Sequence, residues 1–315
     1  MLNRLNYQRP LFILPGLLIL FYALIILFSV PSIPDLGLRT VFSTALRPPY
    51  PFVHAEPNLP DRLFLDKIGP KEIKTWVDIL KAPAAVAEEL RGAEQLPDWA
   101  RREKNGDKEE DLIRVWFRTE PGSNAQPQSA ECVLGNIPLQ QQIPSLLWFL
   151  LKVSLFIVGV LVFWQRPGDP AAAQFYWLCV ATLGAYMGGY HWTHIATTWW
   201  LLIPFIICAV LLPAVSLHFY LIFPRKRPFH ERHPWTMLAA IYAVPLAFLT
   251  VMIVQYLLLR AGIERLDATN DSYAPLVWTI NVYFGVAALS YLSSVIALLH
   301  SFRTVTDPLE KNQVK

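Results

Sequence analysis

The sequence predicts a polytopic α-helical membrane protein of about six spans, with one small α/β domain between the first and second spans. Three observations predict it. The 315-residue chain is 54% hydrophobic and only 16% charged, with a mean hydropathy of +0.35, whereas soluble domains carry about a quarter charged residues. Its apolar residues gather in blocks that reach or exceed the ~18 residues marking a membrane-spanning helix. Its charges concentrate in a single stretch, residues 31–142, long enough for one small domain.

The blocks fall at residues 11–30, 144–164, 172–190, 198–223, 235–259 and 273–301. The chain therefore divides into an N-terminus with its anchor helix (1–30), a polar domain (31–142), a five-helix bundle (143–301) and a linker (302–315). The first block follows Arg4 and Arg9, as a signal peptide would, but it is longer than a usual h-region and lacks an Ala-x-Ala site, so it reads as an uncleaved anchor.

Orientation follows from basic residues beside short loops. With the N-terminus in the cytoplasm, the inner segments hold Arg166, Arg225, Lys226, Arg227, Arg232, Arg303, Lys311 and Lys315. The short outer loops hold only Arg260 and Arg265, offset by Glu264, Asp267 and Asp271. This bias puts both termini in the cytoplasm of a multi-pass protein of the cell (inner) membrane and the polar domain outside. Trp148, Trp164, Trp192, Trp199, Trp200 and Trp235, near block ends, suit an interfacial aromatic belt.

Within the polar domain, "LRTVFST" (38–44) is strand-like, and "RLFLDKIGPKEI" reads as two short strands joined at Gly69-Pro70. Trp76, Ile79 and Leu80 have helical spacing; Pro83 is expected to end or kink that helix and Gly92 to stop the next. "LIRVWFR" alternates Ile113, Val115 and Phe117 against Arg114, Trp116 and Arg118, a half-buried strand. The charged stretch 101–111 lacks apolar anchors and reads as a solvated loop. Cys132 has no second cysteine in the domain, so no disulfide staples it.

The bundle excludes several chemistries. None of the six blocks contains Asp or Glu, against the ionisable pathways of pumps and transporters. Lys152 reads as a bundle-facing or snorkelling amine, with a ligand counter-ion as the alternative. His218 is expected to hydrogen-bond between helices, Gly184 and Gly188 to allow close helix approach, and Pro204, Pro213 and Pro245 to kink their helices. His191 and His194 supply too few ligands for a metal site. His230-Glu231-Arg232-His233 resembles the His-Glu-x-x-His zinc motif in spelling, but its histidines are three apart rather than four. Arg225, Lys226, Arg227 and Arg232 therefore form a topological anchor. No catalytic, metal or cofactor site and no nucleic-acid partner is predicted.

Two resemblances follow from particular residues. Asp61, Leu63, Leu65, Ile68, Gly69 and Ile73, followed by "TWVDIL" with Trp76, are similar to a PDZ domain, a fold that binds peptide C-termini by strand addition. Pro60 stands where that family usually has Gly, and "ALRPPYPF" lies where its Gly-rich carboxylate loop would be. Peptide binding and a plain α/β cap on the helices both stay open.

Leu217, His218, Phe219, Leu221, Phe223 and Pro224 in "LHFYLIFP" resemble the membrane sensor region of bacterial ComP-like sensor histidine kinases. "FYWLCVATLGAY" and "SIPDLGLRTVF" resemble other parts of that region, and Asp307, Pro308, Gln313 and Lys315 match its Asp-Pro-x-x-x-x-Gln-x-Lys linker. The resemblance implies the sensory input module of a two-component signalling protein, acting as a homodimer in membrane lipid on an extracellular or membrane cue. A His-box and an ATP site are absent from the sequence, so the catalytic output would lie elsewhere, the chain reading as a truncated sensor. A stand-alone membrane scaffold, and the input region of a serine phosphatase, are the alternatives.

Overall fold

The computed structural model describes residues 2–29, 32–40, 42–53, 59–105, 108–120, 126–137, 139–185, 195–196, 198–223, 233–264 and 270–304. Seven α-helices are used below: α1 (Leu2–Ser29), α2 (Trp76–Gly92), α3 (Leu139–Gln165), α4 (Pro170–Gly184), α5 (Trp199–Ile222), α6 (Pro234–Glu264) and α7 (Ala274–Thr304). Among the described residues α1, α3, α5, α6 and α7 are long and apolar enough to cross a membrane, with windows of mean hydropathy 2.0–2.6. The protein is a polytopic helical assembly built for a bilayer. Trp148, Trp164, Trp199, Trp200 and Trp235 are all exposed on it.

Among the described residues the third block contributes only the 15-residue α4, so the sixth of the expected spans is not confirmed. At 1.5 Å per residue this helix is about 22 Å long, short of a ~30 Å hydrocarbon core; residues 186–194 lie outside the described set. Its start is well specified. Asp169 accepts a hydrogen bond from the Ala171 amide at 2.9 Å, and Pro170 occupies the first turn. Apolar apart from Gln174 and Thr182, α4 packs against α1, α3 and α5, with Tyr176, Cys179 and Leu183 fully buried.

Glycines let its neighbours approach. A Cβ on Gly184 would collide with Sγ of Cys208 on α5, and one on Gly159 would lie 2.8 Å from Sγ of Cys179. Gly188 lies outside the described residues. The expected prolines do not break their elements: α2 runs through Pro83, α5 through Pro204 and Pro213, and α6 through Pro245. In α2 the Pro83 ring is itself a buried core group, so packing offsets the missing amide hydrogen bond.

The polar stretch folds as an antiparallel sheet with α2 against it. Its strands are β1 (Pro34–Asp35), β2 (Ala45–Leu46), β3 (Leu63–Ile68), β4 (Lys71–Glu72), β5 (Ala100–Asn105), β6 (Lys108–Arg118) and β7 (Gln128–Asn136). The order is β1-β7-β6-β3-β2, with β4 on β3 and β5 on β6. The period-two pattern of β6 sets the register: Ile113, Val115 and Phe117 point into the core, with Cys132 and Ala130 of β7 opposite the first two, and Leu65 of β3 opposite Phe117. The helix is started by Asp78, whose carboxylate accepts the amides of Thr75 (2.7 Å) and Lys74 (3.1 Å).

Two expectations are overturned here. The charged stretch is not a loop but the β5–β6 hairpin, where Arg102 faces Asp111 and Lys104 faces Glu109. Arg102 Nε lies 2.9 Å from Asp111 Oδ1, and such opposite-charge pairs favour a ladder with no apolar anchor. Conversely, no strand forms over 38–40 and 42–44; Leu38 and Thr44 turn inward as irregular chain, and pairing begins at Ala45.

Candidate interhelical polar site

The bundle brings three half-buried polar side chains from three helices together at one place. Gln174 of α4 donates through Nε2 to the Tyr242 hydroxyl of α6 and to the Val215 carbonyl of α5, both at 3.3 Å. The Tyr242 hydroxyl lies 3.1 Å from Nδ1 of His218 on α5, the two rings meeting edge-on at 5.7 Å. The tyrosine oxygen accepts from Gln174 and stands within hydrogen-bond distance of His218 Nδ1, as donor or acceptor according to the histidine tautomer. In a bilayer such groups must satisfy one another, and this trio does so around one hydroxyl.

Apolar packing holds it in place. Leu217 and Leu221 of α5 lie in a cluster with Ala214, Met237, Ile241 and Tyr242. Phe219 contacts Phe175 of α4 (5.6 Å) and stacks on Phe223 (5.3 Å). The structure thus gathers five residues singled out in the sequence, Leu217, His218, Phe219, Leu221 and Phe223, on the α4–α5–α6 junction. Pro224, Arg225, Lys226, Arg227, His230, Glu231, Arg232, Asp307, Pro308, Gln313 and Lys315 lie outside the described residues, as do His191 and His194. Gln174 and Tyr242 escaped the sequence reading. The one signal was an uncharged amide inside an otherwise apolar block.

Lys152 of α3 reaches the end of α4. Its Nζ lies 3.4 Å from the Ala185 carbonyl, where a cation meets the negative end of the helix dipole. This is the bundle-facing arrangement anticipated for it. Among the described residues no three His, Cys, Asp or Glu side chains gather as a metal site would need.

In the sheet domain, Leu63, Leu65, Ile68, Gly69, Ile73 and Trp76 are all buried. Asp61 is not a core residue as its grouping with them implied: it is exposed ahead of β3, because an ionised carboxylate keeps its hydration. Gly69 turns β3 into β4 at φ +55°, and a Cβ there would press on Trp99 at 3.1 Å. Trp76 donates its indole proton to the Thr40 carbonyl at 3.0 Å. Cys132 is a free, fully buried thiol, pushed up to about 12 first by burial and then by the Asp35 carboxylate.

No family model, curated protein or solved structure matches the chain.

What the polar site can do follows from its connections. It links α4, α5 and α6 through one hydroxyl, so its hydrogen bonds depend on the relative positions of the three helices.

Proposed function

We propose that the chain is the membrane-embedded sensory input module of a bacterial signal-transduction protein, of the ComP-like sensor histidine kinase kind, with catalytic output supplied outside these residues. One observation carries the reading. A folded sheet domain is inserted between the first two spanning helices of a bundle whose described polar centre is a hydrogen-bonded relay between helices. A module of this build suits detection better than turnover or transport. A cue acts on it only through different affinity for two bundle arrangements.

The finer parts of the reading are proposals of the same rank. The sheet domain faces outside the cytoplasm, as the basic flanks of the short loops indicate. It is PDZ-like in the order β3, turn, β4, α2. The module works as a homodimer in the cell membrane, with both termini in the cytoplasm and a sixth crossing that extends α4.

The test is a chimera in which residues 1–315 replace the input region of a characterised membrane histidine kinase. Autophosphorylation in vesicles is expected to change severalfold when an antibody fragment binds the sheet domain, or when residues 31–142 are deleted. Identical rates in all three preparations would sink the sensory reading and favour a membrane scaffold.

A further inference from the structure

The contact between the sheet domain and the last helix concentrates two unfavourable features in one place. Tyr273 ends the short 3-10 turn Asn270–Tyr273 that leads into α7. It is 1% exposed, although Trp278 little more than a turn further on is 69% exposed. Its ring lies 6.3 Å from Phe42 and meets Trp76 edge-on at 6.4 Å. Phe42 and Trp76 pack at 4.7 Å, and the Trp76 indole is fixed by its bond to the Thr40 carbonyl.

Two features of this joint resist the arrangement. Phe42 has φ 51°, a left-handed conformation that is a real outlier for a bulky aromatic residue. The hydroxyl oxygen of Thr40 is buried without a hydrogen bond. The Tyr273 hydroxyl reaches the Thr75 side chain and the Val77 backbone at the start of α2. Native structures leave few buried polar atoms unpaired. Strained backbone of this sort persists only where its surroundings over-determine it, and it collects at switch regions.

We infer that Phe42, Trp76 and Tyr273 form a strained latch between the sheet domain and α7. In the closed state Tyr273 is clamped between Phe42 and the first turn of α2. When it withdraws, Phe42 relaxes out of the left-handed region, and the hydroxyl of Thr40 regains water. Because α7 is one continuous helix of 31 residues, a displacement of its first turn reaches its far end. The latch deepens the sensory reading and rests on it for its purpose, but the coupling it asserts is a property of this chain alone.

The experiment is hydrogen exchange by mass spectrometry on the full chain in lipid nanodiscs, with no cue and no output domain. Tyr273→Ala is expected to speed exchange about fivefold or more in 42–46, in 270–278 and at the far turn of α7, 298–304, while β6 and β7 keep their protection. Tyr273→Phe, which keeps the ring, should match the wild type in all three. Faster exchange confined to 270–278 overturns the latch, since the contact then transmits nothing. Tyr273→Leu guards against simple unfolding: if both it and Tyr273→Ala strip protection from β6 and β7, Tyr273 is an ordinary core residue and the latch is again overturned. Neither result bears on the kinase chimera, so the two readings fail separately.

Discussion

His218 Nδ1 and the Tyr242 hydroxyl stand 3.1 Å apart across α5 and α6, and Gln174 closes on the same hydroxyl from α4 at 3.3 Å. The hydroxyl is the hub. Tyr242→Phe removes both bonds with little change in packing. Interhelical hydrogen bonds in membrane proteins average about 0.6 kcal/mol, so the loss is expected at about 0.5–1.5 kcal/mol. Reversible unfolding in mixed micelles measures it, and Gln174→Leu added to Tyr242→Phe should cost less than it does alone. Full additivity of the two would show that they share no network.

The α4–α5 contact depends on the absence of a side chain at Gly184. Gly184→Val forces α4 away from Cys208 and is expected to lower the thermal midpoint of the solubilised protein by several degrees, given the ~1–3 kcal/mol cost of overpacking. Cys208→Ala opens the space and should return part of the loss. If the double variant is no better than Gly184→Val alone, the close approach is not at this pair.

Ile113→Ala tests the sheet core. The side chain is fully buried, and truncations of this kind cost about 2–5 kcal/mol. Trp116, pointing to the other face and only half-buried, should lose much less on the change to Ala. Protection of the β6 and β7 amides reports the difference directly, and equal losses at the two positions would refute the register.

Cys132 gives a pH prediction. Its folded value is raised from the ordinary 9.0 to about 12, so the thiol stays neutral in the fold while the unfolded chain ionises. Its contribution is fully present below pH 9 and is lost as pH rises from about 9 towards 12. The sheet domain should therefore weaken over that window, and Cys132→Ala should lose less stability between pH 8 and pH 10.5 than the wild type. Maleimide labelling of the native protein at pH 8 should be negligible at this position.

Much of the architecture was legible because its causes are local. The spanning helices announce themselves by continuous apolar length, and β6 by its alternation of Ile113, Val115 and Phe117. The Gly69 turn was equally plain, since only a glycine sits comfortably at φ +55° there. What escaped the sequence depends on partners far along the chain. The β5–β6 ladder looks like a solvated charge run until Arg102 is set opposite Asp111. The polar site stayed hidden because Gln174 and Tyr242 are unremarkable except to one another, 68 residues apart. Phe42 and Tyr273 carry no signal at all until the fold brings a loop of the sheet domain to the start of α7.

The packing of α4 against α1 also bears on how the protein is made. The Tyr176 hydroxyl bonds the Ile13 carbonyl across 163 residues, and the Tyr22 hydroxyl bonds the Leu201 carbonyl across 179. At roughly 5–20 residues per second of synthesis, α1 waits about ten to thirty seconds for these partners to emerge. During that interval it must sit in lipid on its own strength, which its mean hydropathy of 2.6 permits. Insertion and full assembly of α1 are therefore separate events in the life of the nascent chain, and the second cannot be complete until Leu201 of α5 has been made.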